Sequence, residues 1–400
     1  MKKVPGFKFD CCGNVLKALR AGRHGVFAVL VITCASLQAH AQALTQTENL
    51  NAWLGERIEF VKKGVGLSVG LQVTVFQPEG AGPFPVVVIN HGKERGDSHS
   101  QVRYRPITAA REFLQRGYAV VVPMLQGFAG SGGSFTDHGC NTEANGDAQT
   151  EDLGAVVDWL KTQHWADTSR MVMTGQSFGG LVTIAYSQYA DPGFKLFVNF
   201  AGGLRYALDC KWETRLLEAF ESYGRTSRAP SLWFYGENDS YFPPQPVSIA
   251  FQAFEKAGGN GEMVAYGPFG VDAHAMFGDV DGADIWLDRV LLRMKRQGLP
   301  VEINLAQYGR VGVKPIASGY AEITDINALG LANAGSQNAY SVFLQKRLPR
   351  AFVIAPKAQN QTYSWGGDNP VSRALEVCEK TNGETCLLYA VDDTVTWQMP

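Results

Sequence analysis

Short, mostly apolar segments alternate with helical segments through the middle of the chain. Residues 85–90 and 119–123 are almost entirely apolar, as in parallel strands that are covered by helices on both faces. Residues 109–115 and 147–163 place apolar side chains at helical spacing, and residues 66–78 alternate like a half-buried strand. This alternation predicts an α/β fold with a mostly parallel, doubly wound sheet that begins with an antiparallel strand.

The same alternation continues to about residue 298. Further strands are predicted at 171–174, 196–200, 232–235 and 263–266, with helices at 179–189 and 284–295. Beyond it the order changes to helices at 340–348 and 370–380 and strands at 351–354, 362–365 and 387–397. We therefore predict a catalytic domain at 42–298, a linker or the start of a second domain at 299–335, and a small α+β domain at 336–400.

The first 41 residues have the organisation of a secretory signal peptide. This segment contains six Lys and Arg and a single acidic residue. An apolar run follows at 25–37, and Ala39-His40-Ala41 provides the small residues of a cleavage site. An uncleaved anchor needs roughly 18 or more apolar residues, and acylation at Cys34 would be unusual after Thr33. We expect cleavage near Gln42, export to the periplasm or the medium, and no stable membrane insertion afterwards.

Cleavage also changes the charge of the protein. It removes six of 36 Lys and Arg but only one of 38 Asp and Glu, so the formal charge falls from −2 to −7. Nucleic-acid binding requires a basic face, and the processed chain has lost its basic cluster. The sequence therefore argues against a nucleic-acid partner, and it does not indicate an oligomeric state.

Four cysteines remain after cleavage, and an oxidising compartment makes them disulfide candidates. They are Cys140, Cys210, Cys378 and Cys386. Four cysteines allow three connectivities, and we favour Cys378–Cys386, which closes a short loop, together with Cys140–Cys210. No C-x-x-C or Cys/His spacing suggests zinc, and the sequence implies no metal and no cofactor.

A G-x-S-x-G motif lies between a predicted strand and a predicted helix. Its residues are Gly175, Ser177 and Gly179. In this context the serine occupies a sharp, strained turn with its hydroxyl exposed. Ser177 is therefore the candidate nucleophile.

A serine nucleophile needs a histidine as base and a carboxylic acid that orients the histidine. In sheets of this type the chain order is serine, then acid, then histidine. Of seven histidines only His274 lies downstream of Ser177. Asp239, in the loop after strand 232–235, is the preferred acid; Glu237 and Asp272 remain alternatives.

An oxyanion requires two backbone N–H donors, one from the residue after the nucleophile and one from the loop after an early strand. Phe178 and Lys93 occupy these positions. His91 is predicted to contact substrate or, equally well, to anchor its loop, and Tyr241 is predicted to line the substrate pocket.

Residues 50–298 resemble the dienelactone-hydrolase-like group of α/β-hydrolases and are also similar to prolyl-oligopeptidase-type catalytic domains. The motifs that carry the resemblance are His91-Gly92, 127–133, 175–180, 236–239 and Ala273-His274-Ala275. The resemblance implies Ser177 as nucleophile, Asp239 as acid and His274 as base. Dienelactone hydrolases have cysteine at the position of Ser177, so their lactone substrate is not implied. Residues 310–400 resemble a small module that follows such hydrolases in other secreted bacterial proteins.

Three functions are compatible with these features. The favoured one is a serine esterase that acts on small-molecule esters. A peptidase of prolyl-oligopeptidase type is the second, disfavoured because no repeat of propeller-blade length precedes residue 50. A non-catalytic envelope- or carbohydrate-binding protein on a hydrolase scaffold is the third.

Overall fold

The computed structural model describes residues 50–66, 68–206, 210–309, 317–331, 334–346, 350–365 and 370–397. The predicted leader at 1–41 lies outside these residues, as do Leu67 and parts of the predicted linker.

Eight strands form one sheet in the order β1-β2-β4-β3-β5-β6-β7-β8. They are β1 (Glu56–Lys63), β2 (Val69–Phe76), β3 (Phe84–Asn90), β4 (Ala119–Pro123), β5 (Ala166–Gln176), β6 (Phe194–Phe200), β7 (Ser231–Gly236) and β8 (Gly261–Tyr266). β2 pairs antiparallel with both β1 and β4, and every pairing from β4 to β8 is parallel. The predicted mostly parallel, doubly wound sheet with an antiparallel start is confirmed, and it has the α/β-hydrolase arrangement.

In the part of the chain that the structure describes, six α-helices cover this sheet: α1 (Ile107–Leu114), α2 (Thr142–Lys161), α3 (Phe178–Tyr186), α4 (Trp212–Gly224), α5 (Pro244–Lys256) and α6 (Ala283–Arg296). Helices α2 to α5 pack into one buried cluster, and α1 and α6 pack into another. In β3, Val86 and Val88 face the first cluster while Val87 and Ile89 face the second. Because both faces are covered, the strand is apolar at successive positions rather than at alternate ones.

Strand β1 and helices α4 and α5 were not predicted from the sequence. Strand β1 has charged residues at most positions and lies at the edge of the sheet, where Phe60 is 65% exposed. Helices α4 and α5 are amphipathic, and α4 buries Leu216, Phe220 and Tyr223 at helical spacing. They connect β6 to β7 and β7 to β8, so they complete the crossovers that parallel neighbours require.

A separate antiparallel sheet in the order β10-β9-β11-β12 lies in the C-terminal region. It comprises β9 (Arg350–Ala355), β10 (Asn360–Trp365), β11 (Leu387–Val391) and β12 (Thr394–Val395), with helices α7 (Ala334–Leu344) and α8 (Pro370–Asn382). The single strand predicted at 387–397 was wrong. Asp392 has a φ of 52°, and the chain folds back there so that β11 and β12 pair antiparallel.

Both predicted disulfides are present, Cys140–Cys210 and Cys378–Cys386. The second joins α8 to the segment before β11, on the face of the small sheet that has the smaller cluster of buried side chains. Within the described ranges, every helix falls short of the length or apolarity needed to cross a membrane.

Candidate functional site

Ser177 lies at the sharp turn between β5 and α3. Its backbone has φ 59° and ψ −123°, a conformation that a non-glycine residue rarely adopts. Its N–H donates to the carbonyl of Phe200, and its carbonyl accepts from the N–H of Gly203, so the end of β6 holds the turn in place. Such strain persists only where surrounding structure enforces it, and it is concentrated at functional sites.

The glycines of the motif allow the close contacts that this turn needs. A Cβ atom on Gly175 would lie 2.2 Å from the carbonyl oxygen of Gly179, and one on Gly179 would lie 2.2 Å from the carbonyl oxygen of Asn90. Helix α3 therefore starts directly against the end of β3. The spacing of the motif is a packing requirement of this strand–turn–helix unit.

Replacing Gly179 by alanine is expected to destabilise the protein by about 3 kcal/mol or more, because the backbone of β3 would have to move. Gly154 in α2 is the matched control, since a Cβ there meets nothing within 4 Å. Gly154→Ala is expected to be stabilising, by about 0.5–1 kcal/mol. Thermal unfolding of the two variants measures both effects, and equal melting temperatures would contradict the packing argument.

Asp239 and His274 form a hydrogen-bonded pair. The Nδ1 of His274 lies 3.1 Å from Oδ2 of Asp239, whose side chain is fully buried, whereas that of His274 is 13% exposed. The other carboxylate oxygen, Oδ1, accepts from the N–H groups of Tyr241 and Phe242, each at 2.8 Å. The carboxylate is thus fixed by its own loop and presents one oxygen to the imidazole.

The two alternative acids have different positions. Glu237 is exposed. Asp272 accepts from the backbone N–H of His274 at 3.0 Å, not from its ring. Burial alone would raise the pKa of the Asp272 carboxyl, but hydrogen bonds from Ser240 and His274 outweigh it and lower this pKa. Of the three candidates, Asp239 is the one that meets the imidazole.

Gln176, the residue before the nucleophile, connects the turn to the histidine loop. Its Nε2 donates to the carbonyl oxygen of His274 at 2.7 Å. The sequence analysis missed this contact, because the two residues are 98 positions apart and glutamine at this position of the motif carries no recognisable pattern.

The two segments that carry the predicted oxyanion donors lie next to Ser177. Phe178 is the first residue of α3, and the first N–H groups of a helix have no acceptor within it. The loop after β3 passes close to the nucleophile, since a Cβ on Gly92 would lie 3.3 Å from the Cβ of Ser177. Lys93 follows Gly92 directly, so both N–H groups belong to segments that border the serine.

Phe135 lies between these two segments and was also missed from the sequence. Its ring centroid is 5.8 Å from that of Phe178, and the ammonium group of Lys93 lies 5.6 Å from it. The ring also packs at 5.2 Å against Phe128, in the glycine-rich loop after β4. Phe135 therefore packs against the side chains of both predicted oxyanion residues.

His91 is fully buried and uses both ring nitrogens within the protein. Its Nδ1 donates to the carbonyl of Gly92 at 2.8 Å, and its Nε2 accepts from the N–H of Leu125 at 3.0 Å. Burial lowers the pKa of this imidazole to about 4, although the contact with Gly92 raises it in part. This geometry favours loop anchoring, the second of the two roles considered for His91, over substrate contact.

Tyr241 borders the imidazole of His274. The ring centroids of Tyr241 and His274 are 4.6 Å apart. The ring centroid of the buried Phe242 lies 5.6 Å from that of the same imidazole. The guanidinium of Arg95 lies 5.9 Å from the ring of Tyr241. Tyr241 is half-buried. Its role in lining the substrate pocket stays a prediction.

The Cys140–Cys210 disulfide joins the segment before α2 to the segment after β6. The hydroxyl of Tyr206 also donates to Asp137 and joins the same two segments. Among the residues that the structure describes, no group of three or more His, Cys, Asp or Glu is arranged to hold a metal ion.

Comparisons with known proteins identify relatives of this chain. Residues 66–226 match the family described as X-Pro dipeptidyl-peptidase (S15 family). A putative carboxymethylenebutenolidase from Yersinia pestis is 24% identical over 200 residues, which are 46% of this chain and 67% of the relative. The sheet of this chain has the α/β-hydrolase arrangement, and its sequence is similar to that of dienelactone-hydrolase-like proteins.

Two further proteins are similar to parts of this chain. Cocaine esterase from a Rhodococcus species is 29% identical over 113 residues, which are 28% of this chain and 18% of the relative. A solved structure of a putative dienelactone hydrolase from Klebsiella pneumoniae covers 60% of this chain and 99% of its own, with 22% identity and a TM-score of 0.42. Each of these relatives therefore matches only part of this chain.

Proposed function

We propose that this protein is an exported serine hydrolase that cleaves carboxylic esters of small molecules. In this mechanism the Oγ of Ser177 attacks the ester carbonyl, and Nε2 of His274 accepts its proton. The same proton passes to the alcohol oxygen as the bond to the carbonyl breaks, which leaves an acyl group on Ser177. His274 then takes a proton from water, whose oxygen attacks the acyl carbonyl. The bond to Oγ breaks, His274 returns the proton to Oγ, and the acid is released.

One set of contacts carries this proposal. Gln176, next to Ser177, binds the backbone of His274, while Asp239 binds the ring of the same histidine. An acid with both oxygens engaged holds the imidazole with Nδ1 as donor, and this tautomer leaves Nε2 free to accept a proton. These contacts join the turn of Ser177 to His274 and His274 to Asp239, which supports acyl transfer at this site.

Charge on the carbonyl oxygen would be stabilised by the N–H groups of Phe178 and Lys93. Each such donor contributes about 2.7–4 kcal/mol to the transition state in other serine hydrolases. Export is supported by the two disulfides in the described residues, because disulfides persist in oxidising compartments.

Peptide cleavage is a second candidate, and one observation favours it. The family matched by residues 66–226 is named for removal of X-Pro dipeptides. The relatives named for other substrates are a carboxymethylenebutenolidase and an esterase. We place esters first because an alcohol leaves the tetrahedral intermediate more readily than an amine, whose nitrogen must be protonated before the bond can break.

A fluorophosphonate probe tests the proposal directly, since it labels only activated serines. We expect labelling of the wild type and of Ser134→Ala, an exposed serine of the glycine-rich loop, and none of Ser177→Ala. Turnover of p-nitrophenyl acetate and of an X-Pro p-nitroanilide then separates the two candidates. A folded wild type that is neither labelled nor active on either substrate would overturn the enzyme assignment in favour of a binding protein.

A further inference from the structure

The backbone of His274 is held at both of its polar groups. Its N–H donates to Oδ1 of Asp272 at 3.0 Å, and its carbonyl accepts from Nε2 of Gln176 at 2.7 Å. Asp272 is the N-cap of the 3₁₀ helix Ala273–Gly278 that carries the histidine. The imidazole is therefore positioned from its main chain as well as through Asp239.

Asp272 also binds the loop of the candidate acid. Its Oδ1 accepts from the N–H of Ser240 at 3.0 Å, and its Oδ2 accepts from the hydroxyl of Ser240 at 2.6 Å. Ser240 directly follows Asp239, which in turn binds the ring of His274 at 3.1 Å. Each loop thus binds the other through a carboxylate. Asp239 in the loop after β7 binds the ring of His274, and Asp272 in the loop after β8 binds Ser240 of the loop after β7.

The contacts of Asp239 and Asp272 lie beyond the end of the sheet. The pairing of β7 with β8 ends at Gly236 and Tyr266, so Asp239 and His274 lie where no ladder bonds fix the distance between strands. Asn238 also joins the two loops, through the N–H of Phe269 at 2.9 Å and the carbonyl of Gly270 at 3.2 Å. The loops therefore have a second attachment, but one that does not bind the histidine.

We propose that Asp272 is a positioning residue of the proposed hydrolase, which sets the distance between Asp239 and His274 by binding the backbone of both loops. The inference rests on the proposed function. A misplacement of about 1 Å in a reacting group costs about 10²-fold in rate. Loss of Asp272 should therefore lower kcat and leave KM nearly unchanged, because none of its contacts is with the substrate.

The test compares three substitutions. Asp272→Ala is expected to lower kcat by about 10²-fold. Asp272→Asn keeps a carbonyl oxygen for the N–H groups of His274 and Ser240, and its amide can donate to the Ser240 hydroxyl, so it should retain most of kcat. Asp325→Ala is the matched control, because Asp325 caps the 3₁₀ helix Ile326–Leu329 through the N–H groups of Asn327 and Ala328. This control should lower stability without lowering kcat.

A spectroscopic measurement separates this inference from the proposed function. The Nδ1 proton of His274, shared with Asp239, is expected to give a downfield proton resonance that is absent from His274→Gln. We expect Asp272→Ala to weaken or shift this signal and Asp272→Asn to preserve it, whether or not the protein hydrolyses esters. An unchanged signal in Asp272→Ala, equal kcat losses in Ala and Asn variants, or an equal loss in Asp325→Ala would overturn the positioning role. An inactive wild type with the expected signals would overturn only the proposed function.

Discussion

Ser177→Ala is expected to lower kcat for ester hydrolysis by on the order of 10⁴-fold or more, which corresponds to about 5.5 kcal/mol of barrier. The variant loses the only oxygen at the turn that the proposed acyl-enzyme can use. Residual turnover would come from the oxyanion donors and from substrate binding. Steady-state kinetics with p-nitrophenyl acetate measures the loss.

The expected loss of activity in Ser177→Ala comes from the missing nucleophile and not from unfolding of the protein. Alanine keeps the Cβ of Ser177, and no hydrogen bond of its backbone to Phe200 or Gly203 depends on the hydroxyl. The melting temperature of Ser177→Ala should therefore match that of the wild type, as should that of Ser134→Ala. Activity within tenfold of the wild type in folded Ser177→Ala would reject Ser177 as the nucleophile.

The turn at Ser177 was predictable because its determinants are local. Gly175, Ser177 and Gly179 fall within five residues, and the strand before them and the helix after them are strongly apolar. His274 followed from chain order alone, since no other histidine lies downstream of the serine. The local backbone requirements of the motif and the single downstream histidine therefore leave few alternatives for the nucleophile and the base.

The acid and its supporting contacts were less accessible to sequence reasoning. Asp239, Glu237 and Asp272 all lie in loops after strands, and the sequence alone left all three open. Their different surroundings depend on how two loops, more than 30 residues apart, come together. The contact of Gln176 with His274 and the packing of Phe135 against Phe178 depend on the same tertiary arrangement.

Strand β1 was missed from the sequence because of how its buried acid is stabilised. β1 is an edge strand whose buried acid, Glu56, is paired with Arg103 and Arg105 rather than covered by apolar side chains. Hydrogen bonds from these arginines and from Asn51 lower the pKa of Glu56 although its burial would raise it. An ion-paired edge strand lacks the apolar periodicity from which strands are predicted.

Asp239→Asn is expected to lower kcat by about 10⁴-fold because it would impose the wrong tautomer on His274. The N–H groups of Tyr241 and Phe242 both bind Oδ1, so the carbonyl oxygen of an asparagine should take that position. The amide nitrogen would then face Nδ1 of His274, where Asp239 now presents Oδ2 at 3.1 Å. An N–H donor there requires Nδ1 to accept, which places the proton on Nε2 and prevents it from accepting the proton of Ser177.

Glu237→Gln is the matched control, because Glu237 lies in the same loop and is exposed. It removes the same charge two residues away and should leave kcat within about twofold of the wild type, as expected for a screened surface charge. A large loss in Glu237→Gln together with a small one in Asp239→Asn would transfer the role of acid to Glu237. Because the loop backbone fixes which oxygen of residue 239 faces the histidine, we expect the tautomer of His274 to be set by the loop that follows β7.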